Sequence, residues 1–417
     1  MGRPTTQEGV PRHVRAMRSY RRARAVAVVL VGAVALGGGL VGFTILRWRS
    51  NVTTLPSVAS LVAPPSAAPG APPVVGRAVD ADDPLRGSPL NLMLLATDDR
   101  SGENAALAGA DEGGGSDTAL ILHISADRSR VELVSLPRDS RAEIPACHLD
   151  REPDGPMSRP RTAKFNAAFA IGWATGDPAL AAACTISTVQ TMTGLTIHGY
   201  AIVDMAGFVG MVDAVGGVRV CVPEPLRDTR YTGLDLPAGW QDLQGVPALQ
   251  YVRARHVDGG DGTDLARIER QHRFLGALVS KVLSSEVLSS PLAMGRFLDA
   301  ATSSLMISEE LADPGTMLGL GWSLRGLDAA DLTFLTVPWA YSDGGYVTWT
   351  SDAAPIWGRL IADEPLAGGG ASGDADAGGA GDAGAGGRSS ESAAPNAPPV
   401  AGTALRTAED PEAAACG

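Results

Sequence analysis

The sequence predicts an α/β protein: a single α-β-α domain with a mixed central sheet, preceded by one transmembrane helix. Three observations carry this expectation. Apolar runs of strand length, such as NLMLLAT (91–97) and TALILHIS (118–125), alternate with longer stretches of helical spacing. The runs 118–125 and 131–137 are separated only by ADRSR, which reads as a hairpin and so brings antiparallel pairing into the sheet. Upstream, residues 25–46 (AVAVVLVGAVALGGGLVGFTIL) carry no charge and as a helix would extend about 33 Å, roughly a bilayer core.

The ends of the chain follow from charge and composition. A signal peptide competes for residues 25–46, but its apolar core is usually shorter, and Arg47, Trp48 and Arg49 read as interfacial anchors. Arg3, Arg12, Arg15, Arg18, Arg21, Arg22 and Arg24 precede the run, opposed only by Glu8. Positive charge stays in the cytoplasm, so residues 1–24 are expected inside and the main domain outside, at the cell membrane. This basic run is short and lies beside the bilayer, so anionic lipid is the nearer partner and nucleic acid is set aside. Gly38 and Gly42 form a GxxxG pair, but small residues are common in membrane helices and the oligomeric state stays open. Residues 47–83, rich in Pro and Ala, read as a tether. Residues 367–417 hold almost no large apolar side chains and are expected to stay unfolded. Residues 84–366 remain as the folded domain.

Within it, Lys164 begins a helical stretch, KFNAAFAIGWA, and a second helix should run from about Pro178 to a stop at Gly194. YAIVD (200–204) reads as a strand, 206–217 as a helix closed by paired glycines, and VRVCVP (218–223) as a strand. ALQYVRARH (248–256) is taken as a strand and 263–283 as a helix, with Leu265, Ile268, Leu275, Val279 and Val282 at helical spacing. Helices are expected across 291–326, a strand at 331–338 and a closing helix at 351–363. The four cysteines lack metal-ligand spacing. Cys147 and Cys184, in loop-like contexts, are expected to pair; Cys221 reads as a buried free thiol, and Cys416 lies in the tail.

The segment QYVRARHVDGGDGTDLARIERQ (250–271) concentrates arginines and carboxylates in a chain of formal net charge -12. On a strand Arg253 and Arg255 would share a face, and on the following helix Asp264, Arg267 and Gln271 would share another. Such a strand end and helix start border the crevice where open α/β sheets bind ligands. Local helix pairs, Asp264 with Arg267 and Glu269 with Arg273, explain the same spacing, so spacing alone leaves both readings open. Asp98, just past one buried strand, and Asp117, just before another, add carboxylates suited to magnesium held with substrate phosphates. No Gly-Lys-Ser/Thr follows the glycines between them, so this is not a Walker-type loop.

Taken in order, NLMLLATDDR, SDTALILHI, VELVSLPRDS, AKFNAAFAIG, VDMAGFVGMVDAVGGV, QYVRARH and DLARIERQ closely resemble the LytR-CpsA-Psr family from about residue 88 to 364. The resemblance implies a phosphotransferase that moves a glycopolymer from a polyprenyl-pyrophosphate carrier onto peptidoglycan. Carried over by motif, Asp98 and Asp117 would hold Mg2+, with Mn2+ as an alternative ion. Arg138, Arg253, Arg255 and Arg267 would stabilise the pyrophosphate, with Asp264 in support. Arg100, Lys164, Asn166, Arg270 and Gln271 would complete the substrate-binding set. Asp98 is preferred over Asp264 as base. The resemblance also implies an apolar groove, with AFAIGWA and AGFVGMV as candidate linings. Two departures stand out: Gly115 where the family usually has Arg before the serine, and Ala96-Thr97 for a Gly-Ser pair. Gly115 keeps a catalytically silent carrier-binding protein in play, and hydrolysis of prenyl pyrophosphates would use the same site.

Overall fold

The computed structural model describes residues 47, 50–65, 83, 85–108, 115–258, 264–284, 290–366, 403–404 and 416. The apolar run 25–46 and its basic leader lie outside the described residues, as does most of the chain beyond 366. Among the described residues no helix is long and apolar enough to cross a membrane.

From Val52 onward the strands are β1 (Thr53–Leu55), β2 (Leu90–Thr97), β3 (Ser116–Ile124), β4 (Val131–Ser135), β5 (Arg141–Ile144), β6 (Arg161–Lys164), β7 (Gly199–Val203) and β8 (Val218–Val222). They continue as β9 (Leu226–Asp228), β10 (Leu234–Leu236), β11 (Gly239–Leu243), β12 (Leu305–Ser308), β13 (Leu332–Thr336), β14 (Trp339–Ser342), β15 (Tyr346–Trp349) and β16 (Thr403–Ala404). The helices are α1 (Asn104–Ala108), α2 (Asn166–Trp173), α3 (Pro178–Thr193), α4 (Met205–Ala214) and α5 (Gly245–Arg253). After these come α6 (Asp264–Val282), α7 (Pro291–Ser304), α8 (Glu309–Ala312), α9 (Pro314–Ser323) and α10 (Ala353–Ile361).

The central sheet has eight strands in the order β1-β12-β7-β2-β3-β4-β13-β16. It is mixed, as expected: β2 runs antiparallel to β3 and parallel to β7, and β4 runs parallel to β13. The near-continuous apolar text of β2 and β3 follows from burial on both faces. Met93, Leu95, Ile121 and Val134 point into one core with α2, α3 and α10. Leu90, Leu92, Ile124 and Leu133 point into the other, against Leu275 and Val279 of α6. A period of two thus feeds two cores, giving an α-β-α sandwich.

Helix α3 is buried almost throughout. Asp177 caps its start, Pro178 occupies the first turn, and Gly194 closes it at φ 74°. Its hydroxyls would be costly in a core, but Thr185, Thr188 and Thr193 donate to carbonyls one turn back at 2.7–2.8 Å. The Cys147–Cys184 disulfide forms, with Cα atoms 5.1 Å apart, and ties α3 to the loop after β5.

Several expectations need correction. Residues 53–61 are not a tether: β1 pairs with β12, and Leu55, Val58 and Leu61 are buried in the core. Pro and Ala dominate the surrounding composition and hide these three apolar positions. ALQYVRARH is not a strand. Ala248, Leu249, Tyr251 and Val252 are buried at helical spacing and Pro247 sits in the first turn of α5, while the alternation of Val252 to Arg255 imitates a strand. The strand expected at 218–223 exists as β8, but it pairs with β11 outside the central sheet. A strand, β12, interrupts the helices of 291–326, and four apolar-rich residues cannot be told from helix by periodicity. Cys221 is not a free thiol but is paired with Cys416. Thr403 and Ala404, inside the segment read as unfolded, pair with β13. AFAIGWA packs mainly into the core, with Phe169 fully buried against α3.

Gly172 is where α2 and α3 touch. A Cβ there would lie 2.2 Å from the Leu180 carbonyl oxygen, a backbone atom that no side-chain rotation can move. Gly172→Ala is therefore expected to destabilise the domain by about 1–3 kcal/mol, read as a lower denaturation midpoint at unchanged m-value. An unchanged midpoint would mean the two helices are not in contact there.

Candidate active site

The ends of β2 and β4 and the start of β3 converge at one edge of the sheet. From β2 the chain exits through Thr97 into Asp98, whose N–H donates to the Gly115 carbonyl at 2.9 Å. Asp117 is the second residue of β3, and Arg138 follows β4 through Pro137. Helix α6 brings Asp264, Arg267, Arg270 and Gln271, all buried, against this edge. Arg253 ends α5, where a cation suits the helix C-terminus, and Arg255 follows in extended chain. Sequence spacing therefore placed Arg253 and Arg255 together for a wrong reason: a helix end and the turn after it, not one strand face, deliver both.

These side chains form three neighbouring ion-pair groups. Asp98 accepts from Arg100 at 3.0 Å and from Arg253 at 2.9 Å. Asp117 pairs with Arg138 and, at 3.5 Å, with Arg267, which also donates to the Asp117 carbonyl at 2.6 Å. Asp264 pairs with Arg267 and, at 3.7 Å, with Arg138, and accepts from the Arg138 backbone N–H at 3.3 Å. Asp139 holds Lys164 at 2.7 Å and Arg255 at 3.2 Å. Six cations thus face four carboxylates, leaving two positive charges in excess.

The electrostatics split the two central carboxylates. Burial would raise the pKa of Asp117, but Arg267 and Arg138 outweigh it and hold the group below the ordinary carboxylate range. At Asp264 burial wins over the same two arginines and raises the pKa. Burial also lowers the pKa of Arg267, although Asp264 and Asp117 oppose it. For Arg138 burial acts the same way but is outweighed by Asp117 and Asp264, so its pKa is raised.

Two adjoining cavities open at this cluster and share Asp117, Leu249, Arg253 and Arg267. The narrow one, about 70 Å³, is walled by Val203, Met205, Phe208, Leu249 and Val252, with Asp98 and Gln271 at its polar end. The wide one, about 400 Å³, is lined by Arg100, Arg138, Arg255 and the segment Asp228–Thr232. Of the two segments expected to line an apolar groove, AGFVGMV does so through Phe208.

Gln271 reaches the site and donates to Thr118 at 3.0 Å and to the Val252 carbonyl at 3.1 Å. Four other expected residues line neither cavity: Asp264, paired with Arg138 and Arg267 as above, and Lys164, Arg270 and Asn166. Lys164 acts through Asp139. Arg270 donates to the Ala254 carbonyl and so braces the turn between Arg253 and Arg255. Asn166 contributes its backbone N–H to the Arg138 carbonyl at 3.2 Å and does not cap α2. Sequence reasoning missed three residues. Asp139 was legible only as the neighbour of Arg138. Asp228 accepts from the backbone N–H groups of Arg255 and His256 at 3.2 and 3.3 Å, and its signal was no more than a turn composition, DTRYTG. Buried Asn104 bridges Asp204 and the Ala206 N–H, fixing α1 over the start of α4.

For a divalent ion, Asp98 and Asp117 supply hard oxygen donors at the edge of one cavity. Among the described residues no group of three or more His, Cys, Asp or Glu side chains is arranged to hold a metal. All four oxygens of these two carboxylates are paired to arginines, Asp98 with Arg100 and Arg253 and Asp117 with Arg138 and Arg267, so an ion held there with substrate phosphates and water would share them with those arginines.

Comparison with known proteins agrees with this architecture. The LytR_cpsA_psr family profile matches residues 74–356. The cell wall biosynthesis protein LcpA of Corynebacterium glutamicum is 32% identical over 286 residues, covering 64% of this chain and 53% of that protein. The polyisoprenyl-teichoic acid–peptidoglycan teichoic acid transferase TagU of Oceanobacillus iheyensis is 30% identical over 212 residues, covering 50% and 56%. The chain spans about half the length of the curated relatives it matches. In fold it is similar to the LytR-Csp2A-Psr enzyme from Actinomyces oris, with a TM-score of 0.52 at 19% identity over 74% of this chain and 96% of that one. With the ordered motifs, the mixed sheet and a profile match across most of its length, the chain belongs to the LytR_cpsA_psr family.

Proposed function

We propose that the protein is a phosphotransferase that moves a glycopolymer from a polyprenyl-pyrophosphate carrier to peptidoglycan at the outer face of the membrane, anchored by residues 25–46 with its N-terminus inside. The observation that carries this reading is the cation excess at the junction of an apolar cavity and a wide polar one. A pyrophosphate with a lipid on one side and a sugar on the other matches that division. Guanidinium forks suit phosphate oxygens, and phosphoryl transfer is mainly positioning plus charge stabilisation.

In this mechanism the sugar hydroxyl of the acceptor attacks the glycopolymer-side phosphorus. The new P–O bond makes the phosphodiester, the P–O bond to the bridging oxygen breaks, and polyprenyl monophosphate leaves. The hydroxyl proton passes to a carboxylate. Both Asp98 and Asp264 are paired with two arginines, but Asp98 borders the narrow cavity whereas Asp264 lines neither cavity, so Asp98 is the better candidate. Arg138, Arg253 and Arg255 offset charge on the departing phosphate, while Arg267 is held by Asp264 and Asp117 at the cavity junction. Asp98 and Asp117 would hold Mg2+ or Mn2+, which when bound neutralises charge on the phosphate oxygens.

One observation keeps a silent carrier-binding protein as the second reading: Gly115 supplies no guanidinium. Among the described residues, a Cβ added there meets nothing within 4 Å.

The test uses the full chain in detergent with magnesium, a polyprenyl-pyrophosphate-linked sugar and a peptidoglycan fragment, with products read by mass spectrometry. Polyprenyl monophosphate and a phosphodiester conjugate should both form. Arg255→Ala should slow their formation by about a hundredfold, as removal of one preorganised charge-stabilising donor does elsewhere. Cleavage without conjugate would point to hydrolysis, and absence of both products would contradict the transferase reading. Gly115→Arg should fold with stability within about 0.5 kcal/mol of wild type and should not lower turnover. If wild type only binds the carrier and Gly115→Arg gains transfer, the second reading holds.

A further inference from the structure

The wide cavity has an aromatic wall that the phosphate chemistry does not require. Tyr231 is 60% exposed, and its ring has two neighbours on the same wall. It packs on the His256 imidazole with centroids 4.2 Å apart, and the Arg230 guanidinium lies 5.4 Å from its centroid. The backbone beneath is fixed. Asp228, 2% exposed, accepts from the Tyr231 N–H at 3.3 Å, and its carbonyl accepts from Thr232 and Gly233. The same carboxylate accepts from Arg255 and His256, so the tyrosine turn and the arginine turn share one buried anchor.

We propose that Tyr231, backed by His256, is a pyranose-stacking platform, with Gln250 and Thr232 on the same wall facing the sugar hydroxyls. This deepens the transferase reading and rests on it. Three features support the assignment. A rigid, exposed aromatic ring offers a large apolar face at little entropic cost, with a phenol for hydrogen bonding at its edge. Both rings line the polar cavity and Phe208 only the narrow apolar one, so on the transferase reading the non-lipid part of the substrate falls to the Tyr231 side. The shared Asp228 anchor sets the platform at a fixed distance from Arg255, so a sugar stacked on it has a defined position relative to the phosphates. Two sugars come to this cavity, that of the donor and that of the acceptor, and the same ring chemistry recognises either.

Binding to the full chain in detergent separates the sources. Three ligands are titrated by calorimetry: a short-chain prenyl pyrophosphate without sugar, the same pyrophosphate carrying a disaccharide, and a soluble peptidoglycan disaccharide fragment. Tyr231→Ala should weaken one of the two sugar-bearing ligands about tenfold, the scale of one aromatic stacking contact. Binding of the sugar-free pyrophosphate should change much less, and Tyr231→Trp should retain sugar binding. Loss in the disaccharide-pyrophosphate arm assigns the platform to the donor, and loss in the fragment arm assigns it to the acceptor. No loss in either arm, or equal loss for all three ligands, overturns the proposal; equal loss would mean that the ring only braces Arg255. Arg255→Ala is the control for the underlying reading. If it leaves the sugar-free pyrophosphate bound as in wild type, the pyrophosphate site itself is wrong, whatever Tyr231 does.

Discussion

The buried contact between Arg267 and its two carboxylates, Asp264 and Asp117, is the constraint on which the rest of the site depends. Arg267 is 3% exposed and Asp264 4%. Charges so far from water persist only when paired, and removing one partner of such a pair typically costs about 3–5 kcal/mol. Pairs of this kind are rarely more stabilising than apolar residues of the same volume. Their presence in the first two turns of α6, where an apolar face would pack as well, therefore points to positioning. Arg267 fixes Asp117, Asp117 and Asp264 fix Arg138, and the cleft acquires cations whose orientation is set before any ligand arrives. Preorganisation of that kind is what charge-stabilising catalysis needs, because nothing has to reorganise as the charge moves.

The same cluster divides the molecule chemically. On one side Met205 and Phe208 of α4 and Leu249 and Val252 of α5 make a small apolar cavity. On the other, the turn anchored by Asp228 and the arginines of 253–255 make a larger polar one. α4 starts and α5 ends close to the site for identifiable reasons. Asp204 caps α4 through the Gly207 N–H at 2.7 Å, and Asn104 ties that cap to α1. Arg270 holds the turn after α5 by its Ala254 carbonyl. Positioning residues one layer behind the cavity thus fix both walls.

Much of the fold was legible in the sequence because its signals are local. The apolar runs of β2, β3 and β4, the Asp-Pro start and Gly194 stop of α3, and the charged spacing of α6 each encode their own element. What was not legible depends on distant partners. β1 is three residues of a Pro/Ala-rich segment and exists because β12 offers an edge. Cys221 looked like a core thiol because its partner, Cys416, lies 195 residues away. α5 was misread because Val252-Arg253-Ala254-Arg255 alternates by chance where a helix unwinds into a turn. For the site, arginines and aspartates in motif order could be found. The division of labour among them could not: Asp139, Asp228 and Arg270 act through other side chains or backbone, and only the packing of α6 against the sheet edge reveals this.

The most direct measurement is a crystal structure of the full chain with a short-chain prenyl pyrophosphate bound. The phosphates should lie between Arg138, Arg253 and Arg255 at the junction of the two cavities, with the prenyl chain passing Phe208. Phosphates bound away from these arginines, or a prenyl chain lying along Tyr231 instead, would contradict the division of the site into a lipid side and a sugar side.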